Sequence, residues 1–235
     1  KIKNPENITK TEMCVESWKG VLVNDSMSIT TIDWRDSQIA GKVRLEYLPP
    51  TVESVLISVN SLKGSLDLSA LPITLAILQV SWNDFSGDID LMHLPPRLEV
   101  LDASWNELTG SLVLDHLPQT LKDLNLANNC FEGTVSLTHL PAGMEFFQIG
   151  RNRLHGIVDL TALPHGLNTL QLGRNEFSGS CDLSHLPNSL RTIELSHTLL
   201  SGTLLVPANF RRIGITFNIR SSSIALSHEP DVEVA

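Results

Sequence analysis

The stretch LTGSLVLDHLPQTL at residues 108–121 returns 69 residues later as FSGSCDLSHLPNSL at 177–190. That separation is three periods of 23. Written in rows of 23, the chain aligns as 29–51, 52–74, 75–97, 98–120, 121–143, 144–166 and 167–189. A row from 190 reads as three residues short, and a partial row begins at 210. The shared pattern is LxxLxLxxNxFxGxLxLxxLPxx. Apolar residues hold the first, fourth and sixth places, as in Leu98, Leu101 and Ala103 or Leu167, Leu170 and Leu172. Asn holds the ninth place as Asn60, Asn83, Asn106, Asn129, Asn152, Asn175 and Asn218, with Ser37 and Thr198 in the other two rows. Gly holds the thirteenth place from Gly41 to Gly202, and Pro the twenty-first from Pro49 to Pro187.

A fixed period of this length implies stacked units, because one row cannot bury its leucines alone and a stack buries them continuously. The LxL segment alternates with the period of a strand. A buried Asn side chain can donate to and accept from neighbouring turns, which predicts a ladder down the stack. Gly allows a backbone angle that other residues avoid. Pro blocks helix before the next row. The convex side is therefore expected to be extended or 3₁₀ rather than α-helical. Strands about 4.8 Å apart make nine rows a curved rod of roughly 40 Å.

The segment LKDLNLANNCFEG resembles the leucine-rich-repeat consensus LxxLxLxxNxLxG, and the match extends over about residues 29–218. The GxLDLxxLPxxL half is similar to the plant-type subclass, and kinetoplastid and other protist leucine-rich-repeat proteins use similar rows. The resemblance implies an α/β-type repeat solenoid, right-handed, with a parallel sheet on its concave face and little helix. The expected organisation is a cap at 1–28, repeats at 29–218 and a C-terminal cap or tail at 219–235. In the first segment, CVESWKGVLV resembles the plant-type N-terminal cap through Trp18, Gly20 and Val21. Val23 stands where that cap has its second Cys, so its disulfide is not expected.

No stretch of 18 apolar residues exists, so no transmembrane helix is expected. The net charge of −9 argues against nucleic acid, whose phosphates need a basic surface. The first residues, KIKNPENITK, have no apolar signal core and no starting Met, the pattern of a trimmed chain. The compartment stays open: unpaired cysteines favour an intracellular setting, and the sequons at Asn7 and Asn24 an extracellular one. No HExxH, GxSxG, P-loop or Cys-His ligand spacing occurs, so neither an enzyme nor a cofactor is expected. His93, His116, His139 and His185 share the nineteenth place, where a half-exposed His before Leu-Pro is a simpler reading than a metal or pH site. Asp67, Asp90, Asp159 and Asp182 read as loop acceptors without a full oxygen shell for Ca²⁺.

Function in such a rod belongs on the concave sheet. The third, fifth, seventh and eighth places are expected to point outward. The eighth column reads Asp36, Val59, Trp82, Trp105, Asn128, Arg151, Arg174 and His197. Trp82 and Trp105 are next-door neighbours where the core gives no reason for Trp. Leu56, Val59, Ile77, Val100 and Phe146 are expected beside them, with Gln79 and Asp102 between, as a binding patch. Arg151 and Arg174 form a basic step flanked by Gln148 and Gln171. The expected function is non-enzymatic binding of a protein or peptide. The alternatives are a scaffold subunit of a larger assembly and a carbohydrate receptor. A further alternative places both tryptophans as shields over the core edge.

Cys14, Cys130 and Cys181 are too far apart in the stack to bridge. Alkylation without reductant is expected to label all three thiols on unfolding, and a deficit of two thiols by mass spectrometry contradicts this.

Overall fold

The computed structural model describes residues 18–206, 216–218 and 223–228. Cys14, the sequon at Asn7 and the apolar Phe210, Ile213 and Ile215 lie outside the described residues. Each row contributes one short strand over its third to fifth places. Val21–Val23 runs antiparallel to Ile29–Asp33 and closes that end. Ser54–Leu56, Ile77–Gln79, Val100–Asp102, Asp123–Asn125, Phe146–Gln148, Thr169–Gln171, Thr192–Glu194 and Thr216–Asn218 then follow in parallel, giving a ten-stranded sheet. Its register repeats every 23 residues through Ser54, Ile77, Val100, Asp123, Phe146 and Thr169. Alternation explains the faces: the fourth and sixth places, such as Leu101 and Ala103, are buried, while the third and fifth are partly open.

The convex side is more regular than expected. Ala40–Lys42, Ser61–Gly64, Asp84–Asp88 and Glu107–Thr109 form a four-stranded sheet. Glu132–Gly133, Arg153–Gly156, Glu176–Ser180, Leu199–Val206 and Ser223–His228 form a five-stranded one. Among the described residues the helical content is a single 3₁₀ turn, Leu45–Tyr47. Between the sheets lies one continuous apolar core, with Phe85, Phe131, Phe147 and Phe177 fully enclosed.

The ladder is continuous through six rows. Asn106 Nδ2 donates to the carbonyls of Val80, Ala103 and Ser104, and its Oδ1 accepts from Phe85 N–H at 3.0 Å. Asn83, Asn129 and Asn152 repeat this set one row away each time. Asn60 and Asn175 also join adjacent rows. At the ends the substitutes do less: Thr198 Oγ1 donates to Leu195 O, and Ser37 Oγ to Arg35 O, both within their own row.

The backbone register sets Asn218 out of line with the ladder. Its strand pairs Glu194 with Asn218, which places it at the fifth position of its row, four places short of the ladder. Phe217 lies opposite Ile193 at the fourth place, so the last row starts at 214 rather than 210. The row from 190 is therefore one residue longer than 23, not three shorter. Its convex strand, Leu199–Val206, is the longest in the protein's described part.

Asn106→Ala would leave the Phe85 N–H without its acceptor and take one of two donors from the carbonyls of Val80, Ala103 and Ser104. We expect a loss of stability on the order of 1–3 kcal/mol in denaturant unfolding; an unchanged midpoint would contradict the role of the rung.

Candidate functional site

The eighth place is not a strand position. It lies in the turn after each strand, and in eight successive rows it has positive φ: Asp36 47°, Val59 59°, Trp82 54°, Trp105 52°, Asn128 57°, Arg151 55°, Arg174 56° and His197 54°. This left-handed region suits Asn and disfavours a β-branched Val. The turn is held by the next row. Trp82 N–H donates to Ser104 O at 3.0 Å, and Trp105 N–H to Ala127 O at 3.0 Å. Because every row shares the angle, the strain belongs to the repeat, and the side chain at that place is left free to vary.

The seventh place, expected outward, is buried. Ser58, Ser81, Ser104, Ala127 and Ser196 are all at most 8% exposed. In these rows the left-handed turn tucks this position under the sheet margin, where small residues fit, whereas the first row has an exposed Arg35 at the same place. Asp102 Oδ1 accepts from Ser104 N–H and Oγ–H, and Asn125 Oδ1 from Ala127 N–H.

The tryptophans do not shield the core edge. Trp82 is 51% and Trp105 42% exposed, and their rings stack with centroids 4.1 Å apart at 12°. Such a pair is worth about 0.5–1.5 kcal/mol beyond its buried area. Val59, half exposed, precedes them in the same column. Ile77, Val100 and Phe146 lie elsewhere, at the third place where the strands begin. Leu56, Gln79 and Asp102 at the fifth place separate the two apolar lines. The expected single patch is thus two apolar columns on opposite strand ends.

Arg151 and Arg174 border a hollow of about 330 Å³ with Gln171, Glu194 and His197. Its floor is deep because the seventh place holds Gly150 and Gly173 there. A Cβ at Gly173 would run into the Glu194 carboxylate and lie 2.8 Å from Ser196 O. Neither arginine has a carboxylate within ion-pair distance among the described residues.

One residue of the sheet was not expected to matter. Asp123 sits at the third place between Val100 and Phe146. Its Oδ1 is enclosed and has no hydrogen-bond partner. Burial, and secondarily the Asp102 carboxylate, push its pKa up to about 6. The signal is present in the third column, which reads Thr31, Ser54, Ile77, Val100, Asp123, Phe146, Thr169 and Thr192 and carries this one charge.

The histidines of the loop side bond carboxylates. His93 Nδ1 lies 2.7 Å from Asp90, His139 Nδ1 3.1 Å from Asp115, and His185 Nδ1 3.3 Å from Asp182. Asp67, Asp159 and Asp182 accept from the hydroxyl and N–H two residues on, which holds each carboxyl below its usual range. No group of three or more His, Cys, Asp or Glu suited to a metal ion occurs among the described residues. Cys130 and Cys181 are free thiols, and burial raises the pKa of Cys181. No helix among the described residues is long and apolar enough to cross a membrane.

No protein-family model and no curated protein matches the chain. Solved structures do share the fold. It is similar to the leucine-rich-repeat ectodomain of the plant membrane receptor kinase GASSHO1/SCHENGEN3 from Arabidopsis thaliana, solved with CASPARIAN STRIP INTEGRITY FACTOR 2, at TM-score 0.57 and 24% identity. That match covers 80% of this chain but 23% of the ectodomain. A plant ice-binding protein is similar at TM-score 0.60 and 21% identity, over 96% of this chain and 91% of that one. The PEPR1–AtPEP1 complex is similar at TM-score 0.51 and 21% identity, over 80% and 34%.

Since Asp123 has a raised pKa, its ionisation opposes folding: wild-type stability is expected to fall as pH rises from about 4 to about 6. Asp123→Asn should therefore raise unfolding stability at pH 7.5 by on the order of 1–2 kcal/mol after discounting for solvent screening. The gain should vanish below about pH 4, where the carboxyl is protonated in both states. A gain that is equal at both pH values would contradict the environment assigned to Asp123.

Proposed function

The protein is a leucine-rich-repeat solenoid resembling the plant type, and from that premise we propose that it is a non-enzymatic recognition module for a protein or peptide on its concave face. The observation that carries this reading is the stacked, half-exposed Trp82–Trp105 pair at a place the repeat also fills with Asn or Arg. Rings already fixed by stacking lose little freedom on binding. Trp and Arg are the residue types that dominate interface energies. Arg151 and Arg174, two and three rows on, add selectivity for an acidic segment, chiefly through association rate. Leu56, Val59, Ile77, Val100 and Phe146 supply apolar contact around Gln79 and Asp102. The GASSHO1/SCHENGEN3 ectodomain and PEPR1, both of similar fold, were each solved with a named partner, which agrees with this use of the scaffold.

The carbohydrate reading is weaker. The tryptophans turn ring faces toward each other, whereas a sugar ring packs on an open face. The ice-binding neighbour shares the fold alone. The scaffold reading rests on Tyr47, Ile73, Ile157 and Leu199, each at least 70% exposed and outside the ten-stranded sheet. They are scattered rather than contiguous, which is ordinary for a surface.

The test is selection of a displayed peptide library on the immobilised chain. The double change Trp82→Ala with Trp105→Ala should lose the selected binders by 30-fold or more, corresponding to about 2 kcal/mol, while keeping its melting temperature. Binding that persists in the folded double variant would place the site elsewhere, and unfolding of that variant would make the tryptophans structural.

A further inference from the structure

We propose that Asp123, with Phe146 beside it, is a subsite for a basic side chain, ammonium or guanidinium, of the ligand; this rests on recognition at the concave face and adds a second, oppositely charged specificity to the arginine hollow.

The geometry is that of an acceptor prepared and left unused. Asp123 stands on the sheet that lines the concave face, in the middle strand of the rows that carry the tryptophans and the arginines. Val100 and Phe146 flank it in register, and one of its oxygens is enclosed. Phe146 is 37% exposed, so an accessible aromatic residue stands on the neighbouring strand at the same place. A carboxylate edged by an aromatic ring suits a cation, which takes charge-assisted hydrogen bonds from one and quadrupole attraction from the other. The remaining oxygen of Asp123 makes no hydrogen bond and belongs to a half-buried residue, so it is the atom a ligand meets.

The surrounding charges favour the same ligand. On the preceding strand Asp102 lies opposite Asn125, two places along from Asp123, close enough for its charge to act on that carboxyl, and its Oδ1 is held by Ser104. The following strand presents uncharged Phe146 and Gln148. The nearest lysine in sequence, Lys122, is bound to Glu99 at 2.8 Å and does not neutralise the site. Two carboxylates on adjacent strands repel each other, and a bound cation relieves both. The repeat gives no structural reason for the charge, since Thr, Ser, Ile, Val and Phe fill the same place in other rows. Leaving an enclosed oxygen unpaired costs stability in the free protein, and a cation on the other oxygen stabilises the ionised carboxyl that burial disfavours.

Because the free carboxyl titrates near 6, occupancy by a cation should weaken below that pH. Among the described residues Asp102 is the other titratable group that acts on it, and its charge adds to the upward shift.

The probe is N-acetyl-arginine amide, titrated into the isotopically labelled full chain and followed by the Asp123 carboxyl carbon and the Phe146 ring signals. At pH 7.5 both should shift in a saturable way. A probe that prefers the ionised carboxyl tenfold lowers the Asp123 midpoint by about one unit at saturation. Asp123→Asn should abolish the shifts. The variant Trp82→Ala with Trp105→Ala should retain them, which separates failure of this subsite from failure of the tryptophan site. An Asp123 midpoint unmoved by the probe, or equal shifts in Asp123→Asn, overturns the proposal. A midpoint moved equally by N-acetyl-norleucine amide, which lacks the cation, also overturns it.

Discussion

At each turn after a strand, the backbone leaves carbonyls and an N–H that the strands cannot pair. The ninth-place Asn closes them. Its amide gives hydrogens to two carbonyls of its own row and one of the row before, and its oxygen takes an N–H from that earlier row, as Asn83 does with Val80, Ser81, Ile57 and Leu62. Polar atoms this deep are tolerated only when fully paired. Once they are paired, the turn can hold the left-handed angle that follows each strand, and every row is fixed to the next. The leucine core fills the space behind, but it does not set the register by itself, since any apolar side chain of similar volume would pack there.

This division leaves the scaffold and the recognition surface to different columns. The ninth, thirteenth and twenty-first places are nearly constant because a turn geometry requires Asn, Gly or Pro. The eighth place is held by backbone hydrogen bonds alone, so its side chain ranges from Asp36 through Val59 and the tryptophans to Asn128, Arg151, Arg174 and His197. The same holds for the third place, where Asp123 interrupts an apolar line. Ligand chemistry can therefore change row by row at small cost to the fold. The Gly150 and Gly173 pair is the exception, a change in the seventh column that opens room beside the arginines.

Much of this is readable from one sequence because a translational repeat turns long-range contacts into a fixed offset. Residue i meets residue i+23, so the sheet, its order and the ladder from Asn60 to Asn175 follow from the period. What does not follow is local conformation inside the period. The eighth place reads as the end of a strand, and only the backbone angle shows it to be a turn; that is why Trp82 stands apart from Ile77 and the serines of the seventh place are buried. The offset also fails where the period changes. The lengthened row before Thr216 shifts Asn218 out of the ladder, although FRRIGITFN looks like a continuation. Asp123 was visible as a lone charge in its column, but the enclosure of its Oδ1 needed the third dimension. The second sheet on the convex side needed hydrogen-bond geometry that composition does not contain.

The central claim is that the ladder fixes the turn and leaves the eighth place free. It is tested most directly by giving Trp82 and Trp105 the residue that row five already has. In Trp82→Asn with Trp105→Asn, the side-chain stack is lost, while Asn is better suited than Trp to the left-handed angle. Equilibrium unfolding in denaturant should show a stability within about 1 kcal/mol of the parent chain, with an unchanged m-value. A loss of 3 kcal/mol or more would mean that the tryptophans help to hold the repeat together, and the separation of scaffold from surface would fail.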